Sequence, residues 1–202
     1  MGSINDDRTH IMTTLDSLHS QQRVMIDANG GWDRKTASKL VSEFSDPRII
    51  WEEPCKTLEA NLELANSLQG TFMLDQCVGE SGAAQKALSH GGFHGICIKP
   101  APLGGLSKAL DIREKAISAG MQVRIDGPWC GDIASTAILH LASTTPAEAL
   151  ICGCDLTEPL VIEPKLSKVN QDDLGRIYPP AESGLGIDDP GKILGKPEVV
   201  IV

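Results

Sequence analysis

Five charged residues recur along the chain at intervals of 23 to 27 residues: Asp27, Glu52, Asp75, Lys99 and Asp126, with Asp155 following 29 residues later. Each closes a short apolar run: Arg23–Asn29, Arg48–Glu53, Thr71–Gln76, His94–Pro100, Met121–Gly127 and Glu148–Asp155. Three carboxylates brought to one place repel unless a cation sits between them. Oxygen ligands in that number suit a hard divalent ion, Mg2+ before Zn2+. Lys99 lies in the apolar run Gly95–Pro100. Burial is expected to lower its pKa, so that the amine can act as a base. A base beside a metal that chelates a carboxylate is suited to removing the proton α to that carboxylate, the metal stabilising the enediolate that forms. Any one of these residues alone reads as a loop cap or a snorkelling stem. The periodic set is what points to chemistry.

The elements that must carry these residues alternate. The six runs are almost continuously apolar, as in strands buried on both faces of a parallel sheet. Between them lie helical stripes: Ala37, Leu40, Val41 and Phe44 behind an N-cap at Asp33; Leu58, Leu62, Ala65 and Leu68; Ala109, Ile112, Ala116 and Ala119, stopped by Gly120; and Ile133, Ala137, Ile138 and Leu141. Ile11, Leu15 and Leu18 mark a helix before the first run. Helix and buried strand in alternation mean an α/β fold with a parallel sheet. No GxGxxG or GxxxxGK[ST] turn is present, which favours a (β/α)8 barrel over a nucleotide-binding sheet. In a barrel the C-terminal strand ends share one mouth, and all six charged residues sit at such ends.

Composition narrows the partners. The chain has 202 residues, 41% of them hydrophobic, and a formal net charge of −9. That is core enough for a globular protein and too acidic to neutralise phosphate in bulk, so nucleic acid is excluded as the main partner. No run of about 18 apolar residues exists to span a membrane. Without a basic and apolar leader in MGSINDDRTH, the six cysteines read as reduced thiols and the expected location is the cytoplasm. Cys55 and Cys77, close behind two of the acids, and the pair Cys152 and Cys154 read as packing thiols, not a soft-metal site.

The motifs resemble those of the enolase superfamily, in its mandelate racemase and muconate lactonizing enzyme branch. Asp27-Ala28-Asn29 with Trp32 is similar to that family's third-strand metal motif. Trp51-Glu52-Glu53-Pro54 resembles the fourth-strand motif, whose first glutamate binds metal, and Leu74-Asp75-Gln76 the fifth-strand motif. Gln76 stands where the family more often has an acid. Ile98-Lys99 with Leu103-Gly104-Gly105-Leu106 resembles the sixth-strand lysine and its following glycines, and Ser183–Asp188 the closing segment.

The resemblance implies a partial TIM barrel of about six βα units, strands three to eight, over residues 1–160. Residues 161–202 would form a tail that packs on or near a capping domain. It implies Mg2+ on Asp27, Glu52 and Asp75, and Lys99 as the catalytic acid/base. The stretch Arg124–Ala134, with His140-Leu141-Ala142, is most similar to the cis-3-hydroxy-L-proline dehydratase subgroup. The expected reaction is therefore dehydration to pyrroline-2-carboxylate, with Asn29, Asp126 and Asp155 as substrate-binding residues. Amino-acid or proline-betaine racemases and epimerases share its first step and remain the alternative. A small amino-acid or hydroxy-acid substrate and a homo-oligomer are expected. The family's capping domain, first two strands and K-x-K pair would fall before Met1, so an inactive truncated remnant stays open. A Schiff-base aldolase using Lys99 would not need the acid trio.

Overall fold

The computed structural model describes residues 4–79, 82–127, 131–151, 169–187 and 195. Helix α1 (Ile4–Ser17) precedes five parallel strands in sequential order: β1 (Val24–Asp27), β2 (Ile49–Glu52), β3 (Thr71–Leu74), β4 (Gly95–Ile98) and β5 (Gln122–Ile125). The crossovers carry α2 (Arg34–Glu43), α3 (Leu58–Ser67), α4 (Ala83–His90), the one-turn α5 (Pro100–Leu103) and α6 (Leu106–Ser118). Helix α7 (Asp132–Ser143) follows β5. The sheet is a half-barrel of a partial TIM barrel. Among the described residues, no helix is long and apolar enough to cross a membrane.

Each strand divides its side chains between two faces, as a period of two requires. On the outer face Ile49, Trp51, Phe72, Leu74, Ile96, Ile98, Val123 and Ile125 join one core with the helical stripes, including Ala37, Leu40, Val41, Leu58, Leu62, Ala109, Ile112 and Ala116. The inner face buries a smaller cluster, Ile50, Met73 and Cys97, with Met25 and Ile151 against it. Asp33 caps α2 by accepting from the Thr36 amide at 2.7 Å. Gly120, at φ 78°, follows the end of α6 in the left-handed conformation that glycine tolerates.

Two expectations change. The first run is not buried on both faces: β1 lies at the sheet edge, its residues are only part-buried and Asp27 is exposed. The sixth run does not form a named strand within the described residues. Ala147–Ala149 is a 3-10 turn, Leu150 makes a single parallel bridge to Val123, and the run then leaves the described region. In the tail, β6 (Asn170–Gln171) and β7 (Ile177–Tyr178) pair antiparallel, and β7 touches α7.

Candidate metal and proton-transfer site

The inner-face alternation places a charge at the C-terminal tip of every strand. Met25, Ile50, Met73, Cys97 and Arg124 point inward, and two residues on stand Asp27, Glu52, Asp75, Lys99 and Asp126. Asp27 is paired with Glu52 in the β1–β2 register, and Glu52 with Met73 in the next. This stagger sets Asp75 a step further along than Glu52. Strand tilt and shear in a barrel produce such offsets.

Glu52 is 1% exposed and Asp75 is 5% exposed, and each buries one oxygen, Glu52 Oε1 and Asp75 Oδ1, with no hydrogen-bond partner. Their other oxygens meet cations. Lys99 Nζ donates to Asp75 Oδ2 at 2.7 Å, and Arg124 Nη1 donates to Glu52 Oε2 at 3.3 Å. Arg124 Nη2 also pairs with Asp126 Oδ2 at 2.7 Å. Among the described residues, the metal-capable side chains that converge are Glu52, Asp75 and Cys97, with one ligand atom of each within 4.8 Å of the others. Asp27 is not in that group, although its charge acts on Glu52.

The electrostatics follow from burial and like charge. Burial first, then the neighbouring Asp27 and Asp75 charges, push the Glu52 carboxyl up to about 7 against the pull of Arg124 and Lys99. The protein packed around Asp27 raises its carboxyl too, even though much of the side chain meets solvent. Burial raises the Cys97 thiol well above its ordinary value. Lys99 corrects the sequence expectation. Burial does pull its pKa down, but the hydrogen bond to Asp75 and the surrounding negative groups outweigh it, and the ammonium is favoured. Desolvation alone would favour the amine; the ion pair with which Lys99 is buried reverses the sign.

The loops behind the tips are tied together. Asn29 takes a left-handed backbone, φ 49°, and its amide donates to Asp27 Oδ1 at 2.8 Å. Its own side-chain oxygen accepts from Gln76 Nε2 at 2.8 Å. Asn61, buried on α3, clamps the Cys55 backbone from both sides, accepting from its amide and donating to its carbonyl. Asp155 lies outside the described residues.

Three acids, a lysine at the next strand end and a parallel half-barrel form a distinctive set. A family model described as enolase C-terminal domain-like matches residues 1–189. The chain belongs to that family. Relatives in the family include a cis-3-hydroxy-L-proline dehydratase of Roseibium aggregatum, 30% identical over 201 residues, 97% of this chain and 53% of the relative. Muconate cycloisomerase 1 of Rhodococcus opacus is 27% identical over 93% of this chain and 52% of its own. A crystal structure of a mandelate racemase/muconate lactonizing enzyme from Roseovarius nubinhibens superimposes with a TM-score of 0.86 at 32% identity, covering 98% of this chain and 53% of that one. An enolase superfamily member from the same organism, complexed with magnesium, gives 0.87 at 28% identity and covers 98% and 54%. The chain thus spans about half the length of the relatives it matches.

Against this family frame, the structure gathers Glu52, Asp75 and Lys99 and sets Asp27, Asn29 and Asp126 around them. Two residues had no role in the sequence reading. Arg124 is an arginine inside an apolar run, and the alternation that turns Lys99 inward was a signal for it. Glu53 had only its place beside Glu52.

Proposed function

We propose that this chain supplies the metal-binding and proton-transfer part of an enolase-superfamily lyase, with Mg2+ held by Asp27, Glu52 and Asp75 and Lys99 as acid/base. The observation that carries it is the pair of buried, unpartnered oxygens, Glu52 Oε1 and Asp75 Oδ1, beside the Lys99 amine. Buried oxygens without a donor are costly, and an all-oxygen set suits a hard cation. The three proposed carboxylates fit Mg2+, whereas the Cys97 sulfur that converges with Glu52 and Asp75 would suit a softer ion. When bound, the metal would act as a Lewis acid on the substrate carboxylate.

The remaining work falls to side chains. Lys99 is bonded to Asp75 Oδ2, so taking a proton from Cα requires the amine to leave that oxygen and shed its own proton. A cyclic imino acid brings a cationic nitrogen, for which Asp126 and Asp155 are the proposed carboxylates and Asn29 a polar contact. Cis-3-hydroxy-L-proline is the proposed substrate. Its α-proton passes to Lys99, the C3–O bond breaks and the departing hydroxide takes up one proton to leave as water, so the elimination is proton-neutral overall, and the enamine tautomerises to pyrroline-2-carboxylate. Support for this substrate is the dehydratase among the relatives. The division at residue 160 between barrel and tail belongs to the same proposal.

The test is solvent deuterium exchange at Cα of cis-3-hydroxy-L-proline with Mg2+, run together with product analysis. Exchange abolished by Lys99→Ala and accompanied by pyrroline-2-carboxylate is the expected result. Exchange without loss of water would move the reading to a racemase or epimerase. No exchange with any amino or hydroxy acid would overturn it.

A further inference from the structure

Glu53 is 2% exposed and takes a left-handed backbone, φ 38°, which side-chain-bearing residues rarely adopt. Every polar group it owns is engaged, with the loop after β1, with β3 or with the turn that follows β3. Its Oε2 accepts from the Asp75 amide at 2.7 Å and its Oε1 from the Cys77 amide at 2.8 Å. Its main-chain oxygen accepts from the Gly30 amide at 2.8 Å, and its amide donates to Met73 O at 3.0 Å. The loops after β1, β2 and β3, which begin at Asp27, Glu52 and Asp75, are thus joined at this residue.

We infer that Glu53 is a positioning residue that sets Asp75 against Glu52 by holding the two amides of the Asp75–Cys77 turn, and through Gln76 also sets Asn29. The inference rests on the metal reading of the site. Ionised carboxylates accept backbone amides strongly and cannot donate, so the fork imposes one geometry on the turn. Asp75, the first residue of the turn, has a backbone at φ −131°, ψ −94°, outside helix and strand alike. In that conformation its amide is held by Glu53 Oε2. With the amide fixed, Oδ2 reaches Lys99 and Oδ1 remains available beside Glu52. Gln76, next in the turn, is delivered to Asn29 Oδ1.

The experiment measures Mn2+ binding to the full chain by electron paramagnetic resonance, for the wild type, Glu53→Gln and Leu40→Ala. The glutamine keeps one acceptor but turns an NH2 group towards the other amide, so Mn2+ affinity should fall by roughly tenfold or more. Leu40 is in the outer core. Its alanine variant should lower the melting temperature and leave the affinity of the folded chain unchanged. Glu53→Gln behaving like Leu40→Ala, less stable with unaltered Mn2+ affinity, would overturn the inference while the metal reading stands. A wild type that binds no Mn2+ overturns both. A measurement without variants guards against misfolding: the Asp75 and Cys77 amides of the wild type should be protected from hydrogen exchange. Exchange as fast as an open loop would overturn the inference.

Discussion

The two faces of the sheet are built from the same five strands and carry opposite burdens. The outer face is apolar at every position: Trp51, Phe72, Ile98 and Ile125 are almost wholly buried against helices whose stripes match them. The inner face buries little apolar surface. Just above it Glu52, Asp75, Lys99, Arg124 and Asp126 crowd together, with Glu52 pushed up to about 7 by burial and its acidic neighbours. Stability resides in the first face. The second holds charges at a cost that only a ligand or counterion would offset. An edge strand makes the same point: β1 is part-buried, yet its tip residue Asp27 still raises the Glu52 pKa from across the register.

The comparison would break first at the outer core. Leu40 on α2 is completely buried, and Leu40→Ala should cost about 2–5 kcal/mol through lost transfer energy and a cavity. Guanidinium unfolding measures this. If the variant were as stable as the wild type, the outer face would not be the stabilising one. The inner face should respond the other way. Glu52→Gln removes a buried charge, so the metal-free variant at pH 8 should melt no lower than the wild type, Arg124 retaining its pair with Asp126. Its Mg2+ affinity should nevertheless fall by roughly 10–100-fold. Calorimetric titration reads the second effect, and unchanged affinity would make Glu52 a structural acid.

How much of this was legible depends on whether the decisive contact is local. The five strands and four of the helices between and after them follow from apolar runs and stripes within a dozen residues. Helix α4 was missed because its buried face is only Ala84 and Ala87, too small to register as a stripe. The acids and Lys99 were legible as strand-end charges of even spacing. The state of Lys99 was not, since it turns on Asp75, 24 residues away, and desolvation alone gave the wrong sign. Glu53 was hidden for the same reason: its partners are amides on the next strand's loop, reached only through a left-handed backbone.

The smallest expected effect concerns pH, and its sign separates the faces most finely. Glu52 has its carboxyl raised from the ordinary 4.5 to about 7 by burial and then by Asp27 and Asp75. Glu53 and Asp27 are raised too, chiefly by burial. An acid raised on folding holds its proton more tightly in the folded chain than in the unfolded one. As pH climbs from about 4.5, the unfolded chain releases that proton while the folded chain keeps it, so stability falls until about pH 7 and then levels. The acids with lowered values, Asp33, Asp46, Glu59 and Asp172, act below that window, where stability rises with pH instead. Metal-free chain melted in steps from pH 4.5 to 8 should therefore lose stability across the window, and Glu52→Gln should flatten the loss. Saturating Mg2+ binds the deprotonated folded form and should offset the fall at pH 7 more than at pH 5. A metal-free profile that rose through the window would mean that Lys99 and Arg124 already neutralise the inner face, leaving the acids no unmet charge for a metal to satisfy.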